Sequence, residues 1–142
     1  MKKTILLSII MVMLVVTFAG CGSQTDSQVK VIDIQLTQEE YAFGVDKNQP
    51  ELLDEVNAFI AQIQADGTFD AILDKYFADG TPEPVTSGTL DSSKDQLVVA
   101  TNAAFEPFEY MIGDKYYGID MEIAKLLADH LGKELVISNM EF

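Results

Sequence analysis

The stretch from Leu97 to Met140, LVVATNAAFEPFEYMIGDKYYGIDMEIAKLLADHLGKELVISNM, decides the fold. Residues 97–101 are apolar and read as a strand of the buried type. Residues 108–111 and 115–117 are placed to pair as a hairpin about Gly113 and Asp114. Asp120 is positioned to cap a helix in which Ile123, Leu126, Leu127 and Leu131 face inward, and Gly132 is its stop. Residues 135–140 form the next strand. Strand, helix and strand in succession imply a right-handed crossover and parallel pairing. The expected class is α/β, a small mostly parallel sheet flanked by helices.

Upstream, Pro50 favours a helix start. Leu52, Leu53, Val56, Phe59, Ile60 and Ile63 then recur at helical spacing until Gly67, which can take a left-handed cap. Thr68 is placed to cap a second helix, whose apolar stripe is Phe69, Ile72, Leu73, Tyr76 and Phe77, before Gly80. Both stripes are expected to be core, and both helices to cover a face of the sheet. Residues 29–36 alternate apolar with polar and read as a strand, and residues 41–45 form a second short β-prone run. Residues 80–96 are rich in Gly, Pro, Ser, Thr and Asp, the composition of a linker with no core of its own.

The N-terminal end has a different chemistry. Lys2 and Lys3 precede an uncharged apolar run over residues 5–18, then Ala19, Gly20 and Cys21. A membrane-spanning helix needs roughly 20 apolar residues, and this run is shorter and ends in small residues. It therefore reads as an export signal, residues 1–20. Residues 17–21 resemble a bacterial lipobox, with Phe18 where an aliphatic residue is usual. Lipidation of Cys21 would anchor the chain to the outer face of the cell membrane. Residues 21–28 are small and polar and suit a flexible tether. Cys21 is the only cysteine, so no intramolecular disulfide can form. The net charge of −14 includes 23 acidic residues, a balance that repels nucleic acid.

Residues 101–110 follow a strand end directly, which is where ligands bind in open parallel sheets. Phe105, beside Pro107 and with Asn102 nearby, could be an apolar ligand wall with a polar handle or a packed surface aromatic. These residues alone leave both readings open.

Residues 105–110 and 113–124, with the continuation through 134–142, resemble the opening of the amino-acid-specific extracellular solute-binding proteins of bacterial ABC importers (solute-binding protein family 3). Residues 36–45, with the helix ending in Ala65-Asp66-Gly67-Thr68-Phe69 and on through Tyr76 and Phe77, resemble that family's closing segment. The resemblance implies lobe one of a type II periplasmic-binding-protein-like fold. Its C-terminal part would be residues 29–79, its N-terminal part residues 97–142, and residues 80–96 would join them in circularly permuted order. Chain ends of domains often lie close together, and about 17 flexible residues span roughly 20 to 25 Å.

The same resemblance implies a ligand site at Asn102, Phe105 and Phe142, an amino acid as ligand, an importer permease as partner, and no cofactor or metal. Asp120 matches a family aspartate, yet capping accounts for it better. The family usually grips the ligand carboxylate with an arginine beyond the point matching Phe142. This chain has no arginine, and lysine lacks the bidentate fork. Weak binding by this chain alone is the expectation. The alternative is a non-transporting interaction module or remnant without ligand binding. Catalysis is not expected, since His130, the single histidine, sits near a helix end and no phosphate loop or metal-spaced set is present.

Overall fold

In the computed structural model, residues 32–34 and 39–141 are described. The chain divides into two units, 1–41 and 42–142. In the first, Ile32 and Ile34 are exposed and residues 32–34 lie in no strand, which corrects that part of the expected strand over 29–36; the rest of it lies outside the described residues. An isolated strand has no partner to satisfy its amides, and alternation alone cannot supply one.

The second unit begins with residues 42–46, which form no strand either, although their sequence is β-prone. Helix α1, Pro50–Ala65, follows with proline in its first turn, where a missing N–H costs nothing. Val56, Phe59 and Ile63 are buried, with Leu52 and Ile60 packed beside them, while Leu53 is exposed. Gly67, at φ 84°, turns the chain into α2, Thr68–Phe77. Thr68 is not the cap expected of it. The Asp66 carboxylate accepts the Thr68 N–H at 2.9 Å, and hydrogen bonding from the Thr68 side chain, then from its amide, holds the Asp66 carboxyl below its ordinary pKa. Of the predicted α2 stripe, Ile72 is buried and Phe69, Leu73 and Tyr76 are half-buried, but Phe77 is 64% exposed.

Strand β1, Gln96–Thr101, leads into β2, Ala104–Phe105, and the hairpin of β3, Glu109–Ile112, with β4, Lys115–Tyr117. Helix α3, Ile119–His130, then connects to β5, Glu134–Asn139. β1 and β5 pair in parallel, from Gln96 against Glu134 to Thr101 against Asn139, and β2, β3 and β4 form an antiparallel three-stranded sheet. The α/β expectation holds: a small parallel sheet flanked by helices. One core joins α1, α2, α3, β1 and β5, with Met121 and Ala128 of α3 almost wholly enclosed. Each buried Val, Ile, Leu or Phe side chain contributes roughly 1.5 to 3 kcal/mol.

Asp120 does not cap α3. The cap position is Gly118, and the first helical amides are met by the loop before it. Ile119 N–H donates to the Pro107 carbonyl at 3.1 Å and Asp120 N–H to the Phe108 carbonyl at 2.9 Å. That closeness requires glycine. A Cβ on Gly118 would lie 2.1 Å from the Phe108 carbonyl oxygen, at a φ of 129° that other residues avoid. Gly118 N–H also donates to the Tyr76 hydroxyl at 3.0 Å, and that hydroxyl donates to Glu122 at 2.9 Å. Burial, together with the Glu122 carboxylate, pushes the Tyr76 phenol pKa up. Lys75 adds an ion pair to Glu122. The end of α2 is thus bonded to the start of α3 across more than 40 residues of chain.

Residues 80–96 are mostly exposed but are tied to the fold at residues 85, 87 and 88. Val85 is only 8% exposed, its N–H donates to the Tyr116 carbonyl at 2.8 Å, and Gln96 already belongs to β1. Gly88 N–H donates to the Leu135 carbonyl at 2.7 Å, and Ile137 N–H donates to Ser87 Oγ at 2.8 Å. This stretch therefore covers the outer edge of β5.

Candidate functional site

The carboxyl ends of β1 and β5 are tied together by residues that also shape the loop between β1 and β3. Met140 N–H donates to the Thr101 carbonyl at 2.8 Å. The Asn139 side chain accepts the Ala103 N–H at 2.9 Å and approaches Met111 Sδ at 3.4 Å. Within the loop, Ala104 N–H donates to the Asn102 carbonyl and Phe108 N–H to the Phe105 carbonyl, at 2.7 and 2.9 Å. Asn139 was not singled out from the sequence. Its position at a strand end was the available signal, but the bond to residue 103 depends on β1 and β5 being neighbours.

This loop presents an aromatic face. Phe105 is 51% exposed and stacks on Phe108, ring centres 5.4 Å apart and 18° from parallel, and Phe77 meets Phe108 edge-on at 6.5 Å. Asn102 is half-buried at the loop's start. Asn102 and Phe105 lie three residues apart in this loop. Phe142 and Cys21 lie outside the described residues. Phe77 joins the aromatic group although its helical spacing assigned it to the core; it is the last residue of α2, where the stripe runs off the protein.

The charged groups beside the rim are acidic. Glu106 is exposed in the loop, and Glu109 opens β3. Asp120 is half-buried near Glu109; burial first, then the Glu109 charge and a hydrogen bond to it, raise the Asp120 carboxyl to about 7. Aromatic faces flanked by carboxylates favour a cation lying over a ring. His130 ends α3, is exposed, and packs its ring against Phe59 at 5.2 Å. Among the described residues, no His, Cys, Asp and Glu are grouped to hold a metal ion, and no helix is long and apolar enough to cross a membrane.

A cleft of about 470 Å³ adjoins the rim and shares Glu109 and Asp120 with it. It is lined by residues 42–46 and by residues 97–101 of β1. Leu52, Val56 and Phe59 of α1 and Ile123, Ala124 and Leu127 of α3 line it as well. Neither Asn102 nor Phe105 lines it; Thr101, Glu109 and Asp120 lie at the end nearer the rim loop in sequence. The sequence reading did not identify this cleft.

The chain is 42% identical over 52 residues to the arginine-binding extracellular protein ArtP of Bacillus subtilis (strain 168), an alignment covering 37% of this chain and 20% of that protein. No solved structure matches the chain significantly. The model of one protein family matches residues 3–79 and 97–142, passing over the stretch that straps β5. Those two blocks take in α1, α2, α3 and all five strands apart from Gln96, and with them the rim that carries Asn102 and Phe105. On that match the chain belongs to the bacterial extracellular solute-binding proteins, family 3.

Proposed function

We propose that this chain is one lobe of an exported, lipid-anchored amino-acid receptor of an ABC importer, binding rather than transforming its ligand. The observation that carries the reading is the half-exposed Phe105, stacked on Phe108 at the carboxyl end of β1 beside Asn102. A small zwitterion with a long side chain needs an apolar wall and a few polar partners, and this rim offers both. The relative named for arginine binding, the acidic groups Glu106 and Glu109, and the aromatic faces together favour a cationic amino acid, arginine above all. Lipid attachment at Cys21 rests on the signal-like residues 1–20, and diacylglycerol on Cys21 in mass spectrometry is its test.

The order of the two segments is read as permuted, with residues 29–79 and 97–142 building one lobe and 80–96 joining them. The bonds from Lys75 and Tyr76 to Glu122 and Gly118 support that assembly.

Binding by this lobe alone is weak. A free amino acid has few atoms, and its charged ends need desolvated partners. A deficit of about 4 kcal/mol relative to an enclosed site turns a micromolar ligand into roughly a millimolar one. Calorimetry on the full chain should give arginine a Kd near ~1 mM. Phe105→Ala should weaken it at least tenfold, and glutamate should give no heat. Equal heats for arginine and glutamate, or binding indifferent to Phe105→Ala, would place the site elsewhere.

A further inference from the structure

The last turn of α2 reaches the rim through two adjacent side chains. Phe77 meets the Phe108 ring edge-on at 6.5 Å. Tyr76 acts one step further back, through Gly118. Its hydroxyl carries one proton and can accept as well as donate, whereas a carboxylate only accepts. The proton therefore goes to Glu122 at 2.9 Å, and the oxygen takes the Gly118 N–H at 3.0 Å. Burial raises the phenol pKa, which keeps that proton in place at neutral pH. The Glu122 N–H donates to the Gly118 carbonyl at 3.0 Å, and Lys75 pairs with the Glu122 carboxylate. Both main-chain polar groups of the buried Gly118 are thus engaged by Tyr76 and Glu122.

Gly118 is also where the rim loop is fastened. Glycine at a φ of 129° has the widest choice of backbone angles and the most to lose on being fixed. The two amides that follow it hold the Pro107 and Phe108 carbonyls, at 3.1 and 2.9 Å. Phe108 N–H in turn donates to the Phe105 carbonyl at 2.9 Å, and the two rings stack 5.4 Å apart. Phe105 is 51% exposed and lies outside the core, so its orientation comes from this chain of bonds and from the ring beneath it. A rotation at Gly118 moves the donors of the loop carbonyls, and the aromatic face moves with them.

We propose that Tyr76 is a positioning residue for the rim: its hydroxyl fixes Gly118, and through it the loop carbonyls, so that Phe105 presents a fixed face over Phe108. Its effect on ligand affinity rests on the reading of the rim as an amino-acid site; its effect on the rings does not. A wall held in one orientation spares a ligand the cost of ordering it.

The test is NMR on the full chain, comparing Tyr76→Phe with the parent and with Ser87→Ala, which removes a hydrogen bond at β5 without touching α2 or the rim. Tyr76→Phe should shift the Phe105 and Phe108 ring signals, weaken the contacts between them, and speed amide exchange at Ile119 and Asp120 about tenfold more than Ser87→Ala does. Glu122→Gln, whose amide oxygen can still accept the phenol proton, should leave the rings in place. In an arginine titration, Tyr76→Phe should weaken binding about fivefold. Rings unmoved in Tyr76→Phe, or moved as much by Ser87→Ala, overturn the proposal. Ring shifts as large in Glu122→Gln assign the effect to the pair of Lys75 and Glu122 and overturn it too. Rings that move in Tyr76→Phe while arginine binds neither that variant nor the parent uphold the positioning role and remove the amino-acid reading of the rim.

Discussion

The outer edge of β5 and the outer edge of β1 belong to the same two-stranded sheet and have opposite fates. The β5 edge is closed by a Gly-, Pro- and Ser-rich stretch whose single buried apolar residue, Val85, pins it to the β4 residue Tyr116. The β1 edge faces a cleft, although its own sequence is as apolar as that of β5. Apolar sequence therefore does not by itself close an edge; a neighbour positioned by the chain does. A polar linker can serve as that neighbour when one side chain and two hydrogen bonds are in the right places.

Breaking the closed edge should have the largest effect. Val85→Asp puts a carboxylate at a buried apolar position and should cost about 3 kcal/mol or more in thermal or denaturant unfolding. The same change at the open edge, Val98→Asp, where the side chain is half exposed, should cost at most about 1 kcal/mol. Similar losses at both sites would mean that the two edges are alike. Next in size is Ser87→Ala, which leaves the buried Ile137 N–H without its partner and should cost about 1 to 2 kcal/mol. A neutral result would show that water replaces the hydroxyl and that the strap is loose.

A smaller, pH-dependent effect belongs to the open side, where Asp120 lines the cleft. Its carboxyl is raised from 3.8 to about 7, so between those values the folded chain holds a proton that the unfolded chain has released. Stability contributed by this group therefore falls as pH rises through that window. Asp120→Asn removes the titration. Discounting for the partial exposure of the group, the variant should be about 1 kcal/mol more stable than the parent at pH 8 and equal to it near pH 4. A gain of the same size at both pH values would deny that Glu109 and burial set the titration.

The sequence made much of this legible, and unevenly. Helices α1, α2 and α3, strands β1 and β5 and the hairpin of β3 and β4 follow from periodicity and glycine punctuation, because those signals act within one element. The misses are tertiary. Asp120 resembled a cap from its place in the sequence, but the Pro107 and Phe108 carbonyls already receive the helix amides, which depends on Gly118 admitting the loop. The β-prone residues 42–45 lie in no strand, since β propensity by itself does not make one. Val85 was one apolar residue in a polar stretch, and nothing local marked it as buried. At the rim proposed as the site, Asn102 and Phe105 were picked out because a strand end precedes them, whereas Phe77 and Asn139 reach it only through the packing of α2 and the pairing of β5.

The central proposal is that the rim, and not the cleft, would take an amino acid. Residue-resolved amide shifts during an arginine titration of the full chain test it most directly. The account predicts shifts at Asn102, Phe105 and Phe108, saturating near ~1 mM, with residues 42–46 and 98–100 unmoved. Shifts confined to residues 42–46 and 98–100, with Phe105 silent, would contradict it.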